Sequence, residues 1–422
     1  MKNIVICCDG TGNEISENIS NVLKLYRVLR KTKKTEPEQV IFYDPGVGTL
    51  ARPDPWTKFK QDAVTVLGLA TGYGLDDNVL KAYEFLVNHY EEGDDIFLFG
   101  FSRGAYTVRV LAGLVHKVGI LWPQQCNLSG AALTTYKQAS AAIVEQNDEA
   151  TGGEAIEDDS GDTPFVQPAR RDDKVAQFAR IVSSRASAIK FIGVWDTVAS
   201  VIVPRPDRFY AFSVQKLAFT QNNPSVMVFR QAMAIDERRR MFRLEPWLQP
   251  QEFKRNRFRA TNNSEAQDIL QVWFAGVHAD IGGGYPEKES GLSKFPLLWM
   301  IEEAVKHGLA VNRQTVNQLV WGVERKGSPY RYVEPDIRRD PHQSMTTAWR
   351  CLEWIPKSDA YKEWRARRSW LGRYIPNGEP RFIPEDAWIH ESVKLRMAAV
   401  SGYCPVNLPT NFRTVQMSSR SS

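Results

Sequence analysis

The chain has 422 residues, room for one large or two ordinary domains at about one per 150 residues. With 43% apolar and 11% aromatic residues it can fill a substantial core, which excludes a disordered or fibrous chain. Lys plus Arg (54) nearly balance Asp plus Glu (49), and a surplus of +5 is too small and too scattered to argue for nucleic acid.

Asn3 to Cys8 is an apolar run suited to a buried first strand, and Asp9-Gly10-Thr11-Gly12 stops it at once. It is too short for a signal peptide, and no run approaches the ~18–20 residues that span a bilayer. A cytoplasmic location is therefore expected, with export left to a signal-independent secretion system. The five cysteines, an odd number with only Cys7 and Cys8 adjacent, form neither a disulfide framework nor a zinc-ligand pattern. Asn18 to Leu29 carries apolar residues at helical spacing, and Val40-Ile41-Phe42-Tyr43 is the next strand. Asp76 to Tyr90 is an amphipathic helix, Ile96 to Phe99 a strand, and about Ser102 to His116 another helix. Ile189–Trp195 and Ile269–Ala275 are apolar on both faces, as interior parallel strands require. This alternation predicts an α/β fold with a mostly parallel central sheet flanked by helices.

Glu145 to Asp162 breaks the rhythm. It holds no Lys or Arg and only Ala150, Ala155 and Ile156 as apolar residues, so 145–172 reads as a mobile acidic insertion. After about Leu309 the rhythm fades, and seven of the twelve Trp fall from Trp299 onward. We therefore expect a catalytic domain over 1–310 and, over 311–422, a helical C-terminal elaboration packed on it.

The strongest chemical signal is Gly100-Phe101-Ser102-Arg103-Gly104, set between a buried strand and a helix. That is the context of a nucleophile elbow, in which small residues flank a serine on a strained strand-to-helix turn. The turn lifts Ser102 clear of the sheet, and the backbone N–H of Arg103 at the helix start favours an oxyanion. A serine needs a base held by a carboxylate, in the chain order Ser, then Asp or Glu, then His. His278, directly after the strand ending at Ala275, is the candidate base, with His390 as rival. Asp196, where the strand Ile189–Trp195 ends, is the candidate acid, with Asp280 and Asp236 as competitors. A second oxyanion donor should come from the loop after the first strand, at the N–H of Thr11 or Gly12. The same loop resembles the Asp-x-Asp-Gly-Thr motif of haloacid-dehalogenase phosphatases, but Cys7 stands where their attacking carboxylate would be.

Taken in order, Asp9-Gly10-Thr11-Gly12-Asn13, Asp44-Pro45-Gly46-Val47-Gly48-Thr49, Gly100 to Ala105, Gly193-Val194-Trp195-Asp196-Thr197-Val198 and Gly276 to Tyr285 resemble one family. It is the α/β-hydrolase family typified by the catalytic domain of type VI secretion phospholipase effectors, and the resemblance covers roughly residues 2–310. It implies a triad of Ser102, Asp196 and His278, with no cofactor and no metal. The expected activity is that of a serine carboxylic-ester hydrolase of the phospholipase A type, acting on phospholipid or another lipid ester. A soluble acyl-ester or thioester substrate, or a non-enzymatic interaction module on the same scaffold, are the alternatives. Interleaved basic and aromatic residues in Tyr361–Trp370 suggest a helix in peripheral contact with an anionic membrane.

Overall fold

The computed structural model describes residues 1–10, 18–32, 34–46, 74–151, 174–198, 202–205, 211–214, 217–255, 264–359, 362–364 and 367–418. Among these, eight strands form one sheet: β1 (Asn3–Cys8), β2 (Gln39–Asp44), β3 (Asp95–Phe101), β4 (Ile189–Trp195), β5 (Val226–Ala234), β6 (Asp268–Phe274), β7 (Ala387–His390) and β8 (Phe412–Val415). Their spatial order is β2-β1-β3-β4-β5-β6-β7-β8, and every neighbouring pair runs parallel. The fold is thus α/β, with a fully parallel sheet.

Side-chain alternation sorts the strands into two cores. Ile4, Ile6, Ile96 and Leu98 point to one face, under α2 (Leu75–His89), α3 (Arg103–Val118) and the start of α4 (Ser129–Thr151). Val5, Cys7, Phe97 and Phe99 point to the other, under α1 (Asn21–Val28), α7 (Lys294–Lys306) and α8 (Arg313–Leu319). Burial on both faces explains the unbroken apolar runs of the early strands. The remaining helices are α5 (Lys174–Ile181), the short α6 (His278–Gly282), α9 (Thr347–Glu353) and α10 (Glu391–Ala399).

Three regions differ from the sequence expectation. Residues 145–151 of the acidic stretch continue helix α4, while 152–172 lie outside the described residues. The C-terminal part carries helices α8 to α10 but also β7 and β8, which extend the central sheet beyond β6. The stretch 361–370 is not helical at its described positions. Its side chains are drawn apart by separate anchors: Glu363 accepts from Arg240, the Trp364 indole donates to the Pro380 carbonyl (2.7 Å), and Arg367 pairs with Glu379 (3.1 Å). The backbone there makes isolated i, i+3 turns, from the Lys362 N–H to the Asp359 carbonyl (2.9 Å) and from the Arg367 N–H to the Trp364 carbonyl (3.1 Å), in place of the i, i+4 bonds of a helix. Among the described residues no helix is long and apolar enough to cross a membrane.

Because β7 completes β6 by parallel pairing, a chain ending at residue 310 would expose a bare sheet edge. We expect that truncation to aggregate or to lose its cooperative transition, as read by size-exclusion chromatography and thermal unfolding.

Candidate active site

Ser102 is the single residue between β3 and α3, at φ 57° and ψ −121°, a backbone region that costs a non-glycine residue on the order of 1–3 kcal/mol. Two glycines make the turn sterically feasible. A Cβ on Gly100 would lie 2.5 Å from the Gly104 carbonyl oxygen, and one on Gly104 would lie 2.2 Å from the Cys8 carbonyl oxygen. The elbow is thus pressed against the C-terminal end of β1. The Ser102 N–H donates to the Trp195 carbonyl (3.1 Å), which leaves the Arg103 N–H, at the start of α3, as the elbow's candidate anion donor. Thr11 and Gly12 lie outside the described residues, but Asp9 just before them is fixed by Tyr43, whose hydroxyl donates to it (2.9 Å), and by Ser20.

Asp196 caps the end of β4, also at positive φ (39°), and is fully buried. Its Oδ1 accepts the Ala234 N–H (2.9 Å) and Arg381 Nη1 (2.6 Å), and its Oδ2 accepts Arg381 Nη2 (3.0 Å) and His278 Nδ1 (2.5 Å). Burial alone would raise this carboxyl, but the Arg381 guanidinium and the His278 imidazole outweigh it and hold it well below the usual carboxylate range.

His278 opens helix α6 after the loop that follows β6. Asp236 fixes that loop, accepting the Gly276 N–H (2.7 Å) and the Tyr403 hydroxyl (2.9 Å). Glu237 accepts the His278 N–H (3.2 Å), and Phe101 and Phe242 flank the ring at centroid distances of 4.7 and 4.8 Å. With Nδ1–H given to Asp196, Nε2 presents its lone pair to the Ser102 hydroxyl at 2.8 Å. Burial lowers the imidazole below its ordinary value, against the opposing pull of Asp196.

The structure therefore brings Ser102, His278 and Asp196 into one hydrogen-bonded chain. It does not bring in His390, which caps α10 through Ser392 and is pushed down to about 3 by burial against Phe274. Asp280 accepts instead from the Val277 N–H (3.0 Å) and from His342 (2.7 Å). Three residues of the site escaped the sequence reading: Arg381, Glu237 and Phe242. Arg381 stands 185 positions from Asp196, and no local pattern marks it. Among the described residues, no group of His, Cys, Asp and Glu gathers as a metal-ligand set.

Residues 2–303 match the family described as T6SS, phospholipase effector Tle1-like, catalytic domain. The chain belongs to that family. A stretch of 125 residues is 36% identical to an uncharacterized protein of Saccharomyces cerevisiae, YEL023C, covering 28% of this chain and 18% of that one. Two solved structures are similar at low identity. One is an uncharacterized protein from Pseudomonas aeruginosa (16% identity, TM-score 0.35, 75% of this chain and 47% of the other). The second is the Tle1 effector bound to the VgrG spike of the type 6 secretion system (17% identity, TM-score 0.30, 69% and 52%). The chain thus spans about half or less of each relative. Membership in the Tle1-like phospholipase family makes lipid-ester hydrolysis the family chemistry, and Arg381 lies outside the matched residues.

Removing Arg381 would leave a buried carboxylate short of its counter-charge, so Arg381→Ala should cost about 3–5 kcal/mol. The sign with pH follows from the depressed Asp196. Its contribution is complete above an unfolded value of about 3.9 and is lost as pH falls toward the folded one. Denaturant titrations at neutral and acid pH should therefore show a mutational cost that shrinks on acidification. With the guanidinium gone, Asp196 acts on His278 unopposed, and the imidazole should titrate higher than in the wild type by NMR.

Proposed function

We propose that the protein is a serine carboxylic-ester hydrolase acting on phospholipid or another lipid ester through Ser102, His278 and Asp196. The observation that carries this reading is the bridging imidazole, 2.8 Å from a strained, elbow-borne serine and 2.5 Å from a buried carboxylate. His278 Nε2 takes the proton of Ser102 Oγ as the oxygen attacks the ester carbonyl. The imidazolium then sits against Asp196, and Nε2 returns the proton to the departing alcohol, leaving an acyl-enzyme. Water repeats the sequence with the same base and frees the acid. The Arg103 N–H, and the N–H of Thr11 or Gly12 after β1, are the proposed oxyanion donors. We take 1–310 as the catalytic domain and 311–422 as part of the same folded unit. The family name ties its members to type VI secretion, so the reading admits export by that route as well as a cytoplasmic site.

Ser102→Ala should lower kcat by roughly 10⁴–10⁶, and His278→Ala comparably, without the two losses adding. His390→Ala should leave turnover near wild type. Lipid analysis after incubation with wild type and Ser102→Ala, together with fluorophosphonate labelling, checks this, and an active Ser102→Ala protein or a wild type that the probe does not label would sink it. Release of fatty acid from short soluble esters but not from vesicles would favour the soluble-ester alternative. Because burial lowers His278, the acid limb of kcat/KM should fall below the ordinary imidazole value of about 6.5.

A further inference from the structure

Residues 354–382 combine two properties that folding does not require of them. Of the large apolar side chains exposed among the described residues, Trp354, Ile355, Trp370, Leu371, Ile375 and Phe382 all fall in this span. Arg368 and Arg373, on either side of Trp370 and Leu371, are exposed as well. Exposed apolar side chains set between exposed arginines mark an interaction surface rather than a core.

Its apex is a two-residue turn. Trp370 and Arg373 exchange both backbone hydrogen bonds (2.8 and 3.0 Å), and the residues between them, Leu371 and Gly372, have φ 49° and 69°. That geometry suits Asn-Gly, and a leucine there is disfavoured by its Cβ. Leu371 gains no burial in exchange. It is 79% exposed, and Trp370 beside it is 80% exposed. Arg373, which closes the turn, also begins one strand of a short antiparallel ladder, Lys357–Ser358 with Arg373–Tyr374, so the turn is braced on its C-terminal side.

This segment is tied to the catalytic machinery. Arg367 bonds Glu379 and the Pro376 carbonyl, and Trp364 bonds the Pro380 carbonyl and meets Phe382 edge-on at 5.4 Å. Arg381, between those two residues, grips Asp196.

We propose that the Trp370–Leu371 turn is a membrane-docking element that binds the surface of an anionic lipid bilayer. Tryptophan favours the headgroup boundary and leucine the acyl layer, and the basic residues around them meet the negative surface. The proposal rests on the lipid-ester reading for its meaning, but its test does not use turnover.

The full-length protein carrying Ser102→Ala is cosedimented with phosphatidylcholine–phosphatidylglycerol vesicles and with pure phosphatidylcholine vesicles, with and without Trp370→Gln plus Leu371→Asn. Asn accepts the left-handed position, so the double variant should keep the fold, and its thermal transition serves as the check. We expect binding to the anionic vesicles, weakened by added salt, and a loss of roughly tenfold or more in the double variant. Equal binding by the folded variant, or no binding by the parent, would overturn the proposal. So would a concentration-dependent dimer that the double substitution abolishes, for the patch would then face a second copy. In the Ser102-containing enzyme, the double variant should keep its turnover of a short soluble ester and lose that of vesicles. If neither enzyme hydrolyses any ester, the functional reading fails while the docking result stands.

Discussion

The site depends on one buried charge. Asp196 has no solvent to stabilise its carboxylate, and an uncompensated ion there would cost several kcal/mol or would simply take up a proton. Four donors prevent this: a backbone N–H from the end of β5, both Nη groups of Arg381, and His278 itself. Their geometry does more than neutralise. By occupying both oxygens of the carboxylate they fix its orientation, and that orientation holds the imidazole with Nε2 toward Ser102. The two strained residues, Ser102 and Asp196, sit at the ends of adjacent parallel strands, β3 and β4. Strain of that kind persists only where the surroundings over-determine it, as the glycine-packed elbow and the four-donor cage do here.

Elsewhere in the fold, buried charge follows the same rule and is what made part of the sheet hard to read. The strands at Asn3–Cys8, Val40–Tyr43, Ile96–Phe99, Ile189–Trp195 and Ile269–Ala275 are legible because their faces meet helices and nearly every position is apolar, Asn3, Lys190 and Gln271 being the exceptions. Strand β5 is equally central, yet Arg230 and Gln231 interrupt its apolar run. Arg230 is matched by Asp268 and Glu303, and Gln231 by the fully buried Arg109. Such pairings join residues from tens to more than a hundred positions apart, so no window of sequence shows that these polar side chains are satisfied indoors. The short β7 and β8 are hidden for a different reason: four-residue strands at a sheet edge carry too little periodicity to stand out from loop.

The same contrast governs the site. Ser102 is legible because an elbow needs glycines at fixed local offsets, and Asp196 and His278 because each follows closely on an apolar strand. Arg381, Glu237 and Phe242 act through the third dimension alone. The basic–aromatic stretch before Trp370 carried a genuine compositional signal but no valid element, since anchors from Arg240, Pro380 and Glu379 override its helical preference. Propensity is a weak prior wherever side chains find distant partners of opposite charge.

Arg381 also bears on where the functional unit ends. The family match stops at residue 303, whereas the counter-charge of Asp196 arrives from residue 381. The strand β7 that follows pairs with β6, the strand leading into the His278 loop. Asn407 ties the end of β5 to the Arg381 segment, donating from its amide to the carbonyls of Ile235 and Arg381 (3.0 Å each). The C-terminal segment thus adds strands to the sheet beside the strand that leads to His278 and supplies the counter-charge of Asp196. A buried ion pair of this kind contributes little net stability against an apolar alternative, yet losing one partner is severe. Its value lies in geometry, holding the acid, and through it the base, in a single orientation.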